Sequence, residues 1–254
     1  MSLEIHDIFE HDSSSEDKTA PKTQSYLVTD IREAVREQNR VNIFINDKFY
    51  CSLDIAQVVD LKLKIGRSLS REELNELKRA SDFGKLYART LEYVFLRPHS
   101  TQEIRDYLRR KTLDKTVRAK NRKTGEYQTR IRKGFDASLI PLVVARLEEH
   151  GYLDDEAFAQ KWVENRNVRK GASRKKLRLE LQQKGVSTDI ISKVLEGTTR
   201  DEREELKKVI ARRRYRYDDR NKFIQYLLRQ GFNYSDVLDE LSSDALDDSS
   251  SWPA

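Results

Sequence analysis

The chain of 254 residues contains one cysteine, four prolines and nine glycines. A single cysteine, Cys51, excludes an internal disulfide framework and fits a reducing compartment, so we expect a cytoplasmic protein. The low glycine and proline content favours helices over strands. No apolar run approaches the roughly 18 residues of a membrane helix, and the acidic N-terminus lacks the basic and apolar regions of a signal peptide. We therefore expect neither a membrane span nor a secretion signal.

Recognisable catalytic motifs are also missing. The sequence has no G-x-x-x-x-G-K-[ST] segment and hence no P-loop of its own, and its four histidines and one cysteine are too scattered for a zinc site. Asp154-Asp155-Glu156 is the one carboxylate cluster. A metal-dependent nuclease needs such a cluster, but capping of a helix N-terminus explains it better. We assign no catalytic residue, no cofactor and no metal, and we expect a protein that is not an enzyme.

Three short amphipathic helices are predicted in the middle of the chain. They cover about Asp155–Arg166, Ser173–Lys184 and Thr188–Leu195, and each has apolar residues at helical spacing along one face. Gly151 and Gly185 stand where a helix must end in a left-handed residue. None of these helices is long enough to be stable alone in water. The segment therefore predicts a three-helix module that packs on itself and on its neighbours.

This module repeats along the chain. Leu181-x-x-x-Gly185-Val186 returns 46 residues later as Leu227-x-x-x-Gly231-Phe232. Leu108 precedes Leu181 by 73 residues, which fits an earlier copy with 27 residues inserted at 112–138. A period of this size is typical of arrays in which each unit buries the next. The predicted fold is mainly α: a tandem array of three three-helix repeats, elongated and curved. The helices predicted for the last repeat are Glu204–Arg213, Asp219–Gln230 and Tyr234–Leu241.

Two β-hairpins are predicted beside the helices. Apolar residues alternate from Val41 to Leu53 around Asn46-Asp47-Lys48, which predicts an N-terminal hairpin, and Ser70-x-x-Glu73 is a capping box that opens a short helix through about Ala80. Inside the insertion, two alternating arms around Lys123-Thr124-Gly125 predict a protruding basic hairpin, with a floppy charged loop as the alternative. The predicted organisation is an acidic tail at 1–24, the hairpin and short helix at 25–80, repeats at 81–153, 154–198 and 199–242, and an acidic tail at 243–254.

Charge is unevenly distributed over the chain. Residues 1–17 and 236–254 each hold six acidic residues and no lysine or arginine, so the two ends carry −12 while the whole chain carries +6. Residues 18–235 therefore carry +18. A body this basic attracts polyanions or acidic protein faces, and solubility alone is the alternative explanation. The acidic ends are predicted to be disordered.

Three basic segments supply the candidate contacts. The first is the inserted hairpin. The second, 165–179, contains no acidic residue and includes Arg169-Lys170-Gly171, a glycine-containing loop before a helix N-terminus that can cradle a phosphate. The third interleaves arginines with Tyr215 and Tyr217, a pattern that can contact a backbone and stack on bases. A solvated surface is the alternative for the last two. The candidate contact residues are Arg118, Lys120, Arg122, Lys123, Arg130, Arg132, Lys133, Arg169, Lys170, Arg174, Lys175, Lys176, Arg178, Arg212, Arg213, Arg214 and Arg216.

Several motifs together resemble one known family. They are Leu147-x-x-x-Gly151-Tyr152-Leu153-Asp154-Asp155-x-x-Phe158-Ala159, then Trp162-Val163 with Arg166, then Gly171-x-x-x-x-x-Leu177 and Leu181-x-x-Lys184-Gly185-Val186. Gly66-x-x-Leu69-Ser70-x-Glu72-Glu73-Leu74 precedes them, and Lys222-Phe223-x-x-Tyr226-Leu227-x-Arg229-Gln230-Gly231-Phe232 follows. In these residues the chain resembles the RecX family of regulatory proteins, over about residues 27–242. The insertion at 112–138 departs from the family pattern.

The resemblance implies a function. It implies that the chain binds the filament of the recombinase RecA on single-stranded DNA and reduces its ATPase and strand-exchange activity, in recombinational DNA repair and the SOS response. Weak contacts along such a filament would add by multivalency. We expect a monomer with weak direct DNA binding and no cofactor. Two alternatives stay open: a nucleic-acid-binding protein whose helical repeats read shape, and an interaction scaffold without a nucleic-acid role.

Overall fold

A computed structural model describes residues 25–34, 39–120 and 125–247, with side chains through Ser242. This part of the chain forms six strands and ten α-helices, and it divides into two compact units, the first ending at Ser81 and the second beginning at Asp82. The strands are β1 Tyr26–Glu33, β2 Arg40–Ile45, β3 Lys48–Asp54, β4 Ser68–Leu69, β5 Lys115–Lys120 and β6 Tyr127–Arg132. The helices are α1 Ile55–Asp60, α2 Arg71–Leu96, α3 Thr101–Thr112, α4 Leu139–Glu149, α5 Asp155–Asn165, α6 Arg174–Gln183, α7 Thr188–Glu196, α8 Glu202–Arg213, α9 Arg220–Arg229 and α10 Tyr234–Asp247, with a 3₁₀ turn at Arg214–Arg216. The mainly helical fold is as predicted.

The first unit is built on a four-stranded antiparallel sheet of order β3–β2–β1–β4. Strands β2 and β3 form the predicted hairpin, and Asn46 and Asp47 at its turn have φ of 48° and 63°, as a two-residue turn of this kind requires. The sheet buries Val28, Ile43 and Leu53 completely, in a core to which the first turns of α2 contribute. The support that a lone hairpin lacks is therefore supplied inside this unit.

One strand pairing in this region was not predicted, and one helix boundary is wrong. The predicted hairpin belongs to a larger sheet, because β1 and β4 complete it; a bulge between Val28 and Asp30 breaks the alternation of β1 and hides this strand in the sequence. The short helix does not end near Ala80, because α2 continues to Leu96. Neither glycine nor proline follows Ala80 immediately, and the buried hydroxyl of Ser81 donates to a strand carbonyl without breaking the helix.

The ends of the chain were assigned to acidic tails. Residues 1–24 and 248–254 lie outside the described residues. Helix α10 continues to Asp247, past the predicted boundary at 242, so the start of the second tail is corrected. The helix persists because no glycine or proline interrupts residues 234–247.

The second unit consists of three successive groups of helices, each with its own hydrophobic core. The first group is α2 from Asp82 onward with α3 and α4, the second is α5–α7, and the third is α8–α10. Leu108, Leu181 and Leu227, whose spacing indicated the repeat, are fully buried in the middle helices α3, α6 and α9. The three predicted repeats are confirmed, and the β5–β6 hairpin lies between α3 and α4 as predicted.

Successive repeats meet through their middle helices. Ser100, the N-cap of α3, donates its hydroxyl to the carbonyl of Lys184 at the end of α6, at 2.6 Å. Ser173, the N-cap of α6, donates in the same way to the carbonyl of Gln230 at the end of α9, at 2.6 Å. The partially positive start of one helix thus meets the partially negative end of the next. We call these contacts the first and second junctions.

The first helix of each following repeat reinforces its junction. Asp155, which begins α5, accepts a hydrogen bond from the backbone N–H of Thr101 in α3 at 2.8 Å. Glu202, which begins α8, accepts one from the backbone N–H of Arg174 in α6 at 3.3 Å. Backbone donors at the start of a helix have no partner within the helix, and each carboxylate satisfies one of them.

Two glycines allow the junctions to close. Gly185 and Gly231 end α6 and α9 with φ of 74° and 94°. A Cβ on Gly185 would lie 2.4 Å from the Cβ of Gln102, and one on Gly231 would lie 3.0 Å from the Cβ of Lys175. Gln102 and Lys175 are equivalent, since each follows its N-cap serine by two residues. The predicted left-handed helix end at Gly185 is confirmed, and the glycine also permits close contact with the neighbouring repeat.

Replacement of Gly185 by alanine is expected to lower the free energy of unfolding by about 2–5 kcal/mol. About 1–2 kcal/mol comes from the left-handed backbone, and about 1–3 kcal/mol comes from crowding against Gln102. Gly151→Ala is the matched control, because Gly151 has φ of 70° but a Cβ there would meet nothing within 4 Å. Urea unfolding of both variants, followed by circular dichroism, measures the difference. Equal losses would contradict the close contact at the first junction.

Candidate binding surfaces

A cleft of about 120 Å³ at the second junction brings two of the predicted basic segments together. Lys170 and Lys176 line it from the loop before α6 and from α6 itself, and Arg212 and Arg213 line it from the end of α8. Among the described residues that line this junction cleft, none is acidic, and Tyr226 supplies an aromatic wall. Four cations around so small a space favour an anionic group.

The second junction itself positions the cations. Lys176 Nζ donates to the side-chain oxygen Oε1 of Gln230 at 2.7 Å, and the backbone carbonyl of the same Gln230 accepts the Ser173 hydroxyl. Gly171, which precedes α6 with φ of 74°, brings the loop against α8: a Cβ there would lie 2.3 Å from the backbone oxygen of Glu205. The loop that carries Lys170 is therefore held close to the helix that carries the two arginines.

Glu205 fixes this loop from below the surface. The residue is 4% exposed, and its carboxylate accepts hydrogen bonds from Arg200, from Lys208 Nζ at 2.7 Å and from the backbone N–H of Ala172 at 2.9 Å. Burial alone would raise the pKa of Glu205, but the hydrogen bonds from Arg200, Lys208 and Ala172 outweigh burial and lower the pKa. The ionised carboxylate thus offsets two neighbouring cations, and none of the four that line the cleft.

The prediction that backbone N–H groups after Arg169-Lys170-Gly171 bind a phosphate is wrong. The backbone N–H groups of Ala172, Arg174 and Lys176 donate to side chains of this same chain. The physical reason is the junction, which uses the start of α6 to join two repeats. An anion at this place would bind through side chains such as Lys170.

The arginines of the third basic segment fall into two pairs with different surroundings. Arg212 and Arg213 line the cleft, whereas Arg214 Nη1 donates to the carbonyl of Tyr217 at 3.3 Å and Arg216 Nε donates to the hydroxyl of Tyr215 at 3.1 Å. The hydrogen bond from Arg216 and the nearby positive charges lower the pKa of Tyr215. Of the four arginines in this segment, only Arg212 and Arg213 line the cleft.

The other candidate contacts lie elsewhere on the surface. Arg169, Lys175 and Arg178 are exposed around the start of α6 and do not line the cleft, and Arg174 Nε lies 3.9 Å from Glu202. The basic insertion forms the predicted hairpin, and its cations are exposed on β5, β6 and the residue that follows: Arg118, Lys120, Arg130, Arg132 and Lys133. Arg122 and Lys123 lie outside the described residues.

A second concave surface, which the sequence analysis missed, lies at the first junction. We call it the Trp162 groove. It has a volume of about 380 Å³ and lies between the end of α2 and helix α5. The Trp162 ring lies 5.0 Å from the Arg166 guanidinium carbon and 5.3 Å from Lys184 Nζ, and its Nε1 donates to Glu180 at 3.1 Å. The signal in the sequence was a tryptophan next to cations on an amphipathic helix. The lining residues are Arg97, Pro98, Phe158, Lys161, Trp162, Asn165 and Arg166.

Glu103 ties the rim of this groove to the first junction. Its carboxylate accepts hydrogen bonds from Arg97 at 3.0 and 3.1 Å and from Lys184 Nζ at 2.7 Å. Burial raises the pKa of Glu103, but the hydrogen bonds and charges of Arg97 and Lys184 dominate and lower it to about 2. The rim is therefore a neutralised network, unlike the junction cleft.

The carboxylate cluster at 154–156 is used for structure. Asp154 caps α5 by accepting the backbone N–H of Ala157 at 2.9 Å, Asp155 belongs to the first junction, and Glu156 pairs with Lys193 at 2.6 Å. The predicted capping role is confirmed.

Within the described ranges, His, Cys, Asp and Glu side chains nowhere form a group of three or more that could hold a metal ion. In the same part of the chain, no helix combines the length and apolar character needed to cross a membrane.

The fold and these surfaces define a protein of tandem three-helix repeats with concave surfaces at the junctions. Family models agree with both units: the model of the second three-helix domain of RecX matches residues 154–195, and that of the N-terminal domain of regulatory protein RecX matches residues 26–70. The chain belongs to the RecX family of regulatory proteins. The resemblance found in the sequence is confirmed.

Relatives named regulatory protein RecX match most of the chain. Regulatory protein RecX of Clostridium tetani is 25% identical over 224 residues, which are 85% of this chain and 93% of the relative. That of Bacillus licheniformis is 26% identical over 218 residues, which are 83% of this chain and 74% of the relative. A crystal structure of regulatory protein RecX has a TM-score of 0.64 at 20% identity and covers 83% of this chain and 96% of that one, which supports the fold. The family is named for regulation and not for a reaction.

The acid dependence of stability tests the network around Glu103. This carboxyl has an ordinary pKa of 4.5 and titrates at about 2 in the folded protein, a difference worth about 3 kcal/mol. Because the folded pKa is the lower one, the stability it provides is complete above pH 4.5 and is lost as the pH falls toward 2. The difference in unfolding free energy between wild type and Glu103→Gln is expected to shrink over this window.

Urea unfolding at several pH values measures this difference. Glu149→Gln is the control, because Glu149 is exposed and pairs with Arg146 on the surface of α4. The control is expected to differ little from wild type at any pH. A wild-type advantage over Glu103→Gln that stays constant between pH 5 and pH 2 would contradict the assigned network.

Proposed function

We propose that the protein binds the filament of the recombinase RecA on single-stranded DNA and reduces its ATPase and strand-exchange activity in recombinational DNA repair. Membership of the RecX family supports this function. The observation that carries it furthest is the convergence of Lys170, Lys176, Arg212 and Arg213 on one cleft. A filament made of protein and nucleic acid presents both carboxylates and phosphates, and either suits a cleft of this charge.

The Trp162 groove supplies a different kind of contact. Phe158 and Trp162 give it an aromatic floor, and Arg97, Lys161 and Arg166 stand at its rim. Aromatic and arginine side chains are enriched in protein interfaces and among the residues that contribute most to binding. We therefore assign the groove to the protein part of the filament and the junction cleft to a negatively charged group.

Binding alone accounts for inhibition in this proposal. The protein acts as a monomer in the cytoplasm, where its partner works, and it uses no catalytic residue and no cofactor. Contacts at two junctions add because the repeats are joined in one chain, so each can be weak. Bare DNA, which offers a partner only to the basic surfaces, is bound more weakly than the filament.

Direct binding of nucleic acid is the second candidate, because a cleft lined by four cations also suits a phosphate. The salt dependence of binding distinguishes the two functions. Binding through cations and phosphates alone falls steeply with salt concentration. Binding to the filament through the Trp162 groove as well should persist at salt that abolishes binding to bare DNA, in a co-sedimentation experiment.

Reversal of the cleft arginines tests the proposed function. R212E/R213E is expected to raise the concentration for half-maximal inhibition of the RecA ATPase at least about tenfold, since loss of a buried charge contact costs about 2 kcal/mol or more. The matched control is R214E/R216E, which makes the same change of charge a few residues further on but outside the cleft. The control is expected to stay within about threefold of wild type.

The measurement is ATP hydrolysis by RecA on single-stranded DNA as each protein is added, with circular dichroism to verify the helical fold. Equal losses in the two variants would mean that net charge and not the cleft is responsible. A wild-type protein that leaves the ATPase unchanged would contradict the proposed function itself.

A further inference from the structure

The inserted β5–β6 hairpin exposes both of its faces. Strand β5 pairs with β6 from Lys115 opposite Arg132 to Lys120 opposite Tyr127. Every residue of β6 is exposed, and in β5 only the small or apolar Val117 and Ala119 are half-buried. A two-stranded ribbon is marginally stable on its own, and one apolar face normally packs on a core. This ribbon is instead presented to solvent, which points to an external partner.

Positive charge covers both faces of the ribbon. Residues directly opposite one another share a face, so Lys115, Arg130 and Arg132 lie on one face, and Arg118 and Lys120 lie on the other. The two strands contain no acidic residue. Lys115 stands directly opposite Arg132, a pairing of like charges that destabilises a hairpin. An anionic partner on that face would remove that cost.

Further cations extend the positive surface at the foot of the ribbon, which is the base of the hairpin where residues 111–114 and 134–135 lie together. Arg89 of α2 lies over the Phe135 ring, with its guanidinium carbon 5.6 Å from the ring centroid, and Lys111 of α3 lies 4.8 Å from the centroid of Tyr107. Burial, and then repulsion by Lys115, Arg89, Arg132 and Arg110, lower the pKa of Lys111. Arg89, Arg110 and Lys111 were not among the residues selected from the sequence.

Hydrogen bonds also join the two ends of the insertion at the foot, so the ribbon leaves the helices at a fixed place. Asp114 Oδ1 accepts the backbone N–H of Gly134 at 2.9 Å, and the carbonyl of Lys111 accepts that of Phe135 at 3.1 Å. A Cβ on Gly134 would lie 2.1 Å from the backbone oxygen of Thr112. The chain therefore enters and leaves the insertion at adjoining points, and the ribbon can be excised without separating α3 from α4.

We propose that the β5–β6 hairpin enters a groove of double-helical DNA, where the cations of its two faces contact the phosphates of the two groove walls and those of its foot contact the adjacent backbone. The major groove is about 12 Å wide and admits a two-stranded ribbon. Six residues of strand span about 20 Å, enough to cross the groove and reach both walls. Each side chain named on the ribbon is positioned for phosphate contact, which fixes register without reading sequence.

Single-stranded DNA fits the ribbon less well. Proteins that hold single strands combine cations with several aromatic side chains on which successive bases stack. Of the residues of β5 and β6, Tyr127 is the one aromatic side chain; it is 60% exposed, and the Arg118 guanidinium already lies 4.7 Å from its ring centroid. The inference goes beyond the proposed function and stands independently of it, because duplex binding by the ribbon requires no RecA.

Binding to a labelled duplex of about 20 base pairs and to one of its single strands tests this proposal, by fluorescence anisotropy at several salt concentrations without RecA. The first variant, R118Q/K120Q/R130Q, removes three exposed charges. It is expected to weaken duplex binding at least about tenfold and to reduce the salt slope by about 3, roughly one for each lost phosphate contact.

The second variant replaces residues 114–133 by two glycines and is expected to lose at least as much duplex binding. The control, K62Q/K64Q/R71Q, removes three exposed charges from the first unit and is expected to keep wild-type affinity. Unchanged duplex binding in both hairpin variants would overturn the proposal, as would tighter binding of the single strand than of the duplex by the wild-type protein. Since RecA is absent, failure here leaves the ATPase test of the proposed function unaffected.

Discussion

A hydrogen bond from the serine that begins one middle helix to the carbonyl that ends the next is the interaction on which the second unit depends. The bond occurs twice, from Ser100 and from Ser173, and both serines are completely buried. Each repeat alone has a small core of short helices, too little to be stable by itself. Joined end to end, the middle helices satisfy one another's terminal groups, and the concave surfaces form where they meet.

Differences at two pairs of equivalent positions, Glu103 against Lys176 and Lys184 against Gln230, give the two junctions different charge. At the first junction the carboxylate of Glu103 neutralises Lys184, whereas at the second Lys176 meets the uncharged amide of Gln230. The lysine of the second junction thus keeps its net charge beside Arg212 and Arg213. The same architecture yields a neutralised rim around an aromatic groove in one place and a cationic cleft in the other, which suits a partner with both apolar and anionic parts.

Local and periodic features of this fold were accessible from the sequence. The repeated leucines, the helix-ending glycines and the capping serines act within a few residues, so they predicted the helices and their grouping. Strand β1 was not accessible, because its bulge removes the period on which strand prediction relies. The meeting of Lys170 with Arg212 was not accessible either, since 42 residues separate them and the close approach of the Gly171 loop to α8 brings them together. The sequence indicated which residues are basic, but not which of them share a surface.

Native-state hydrogen exchange of a Ser173→Ala variant tests the central claim most directly. If the junction joins the repeats into one cooperative structure, loss of the Ser173 hydroxyl should lower the opening free energy of amides in the first turn of α6 and throughout α9, by about 1–3 kcal/mol in both. Exchange that accelerates only in the first turn of α6, while α9 keeps its wild-type protection, would show that Ser173 merely caps its own helix and would contradict the account.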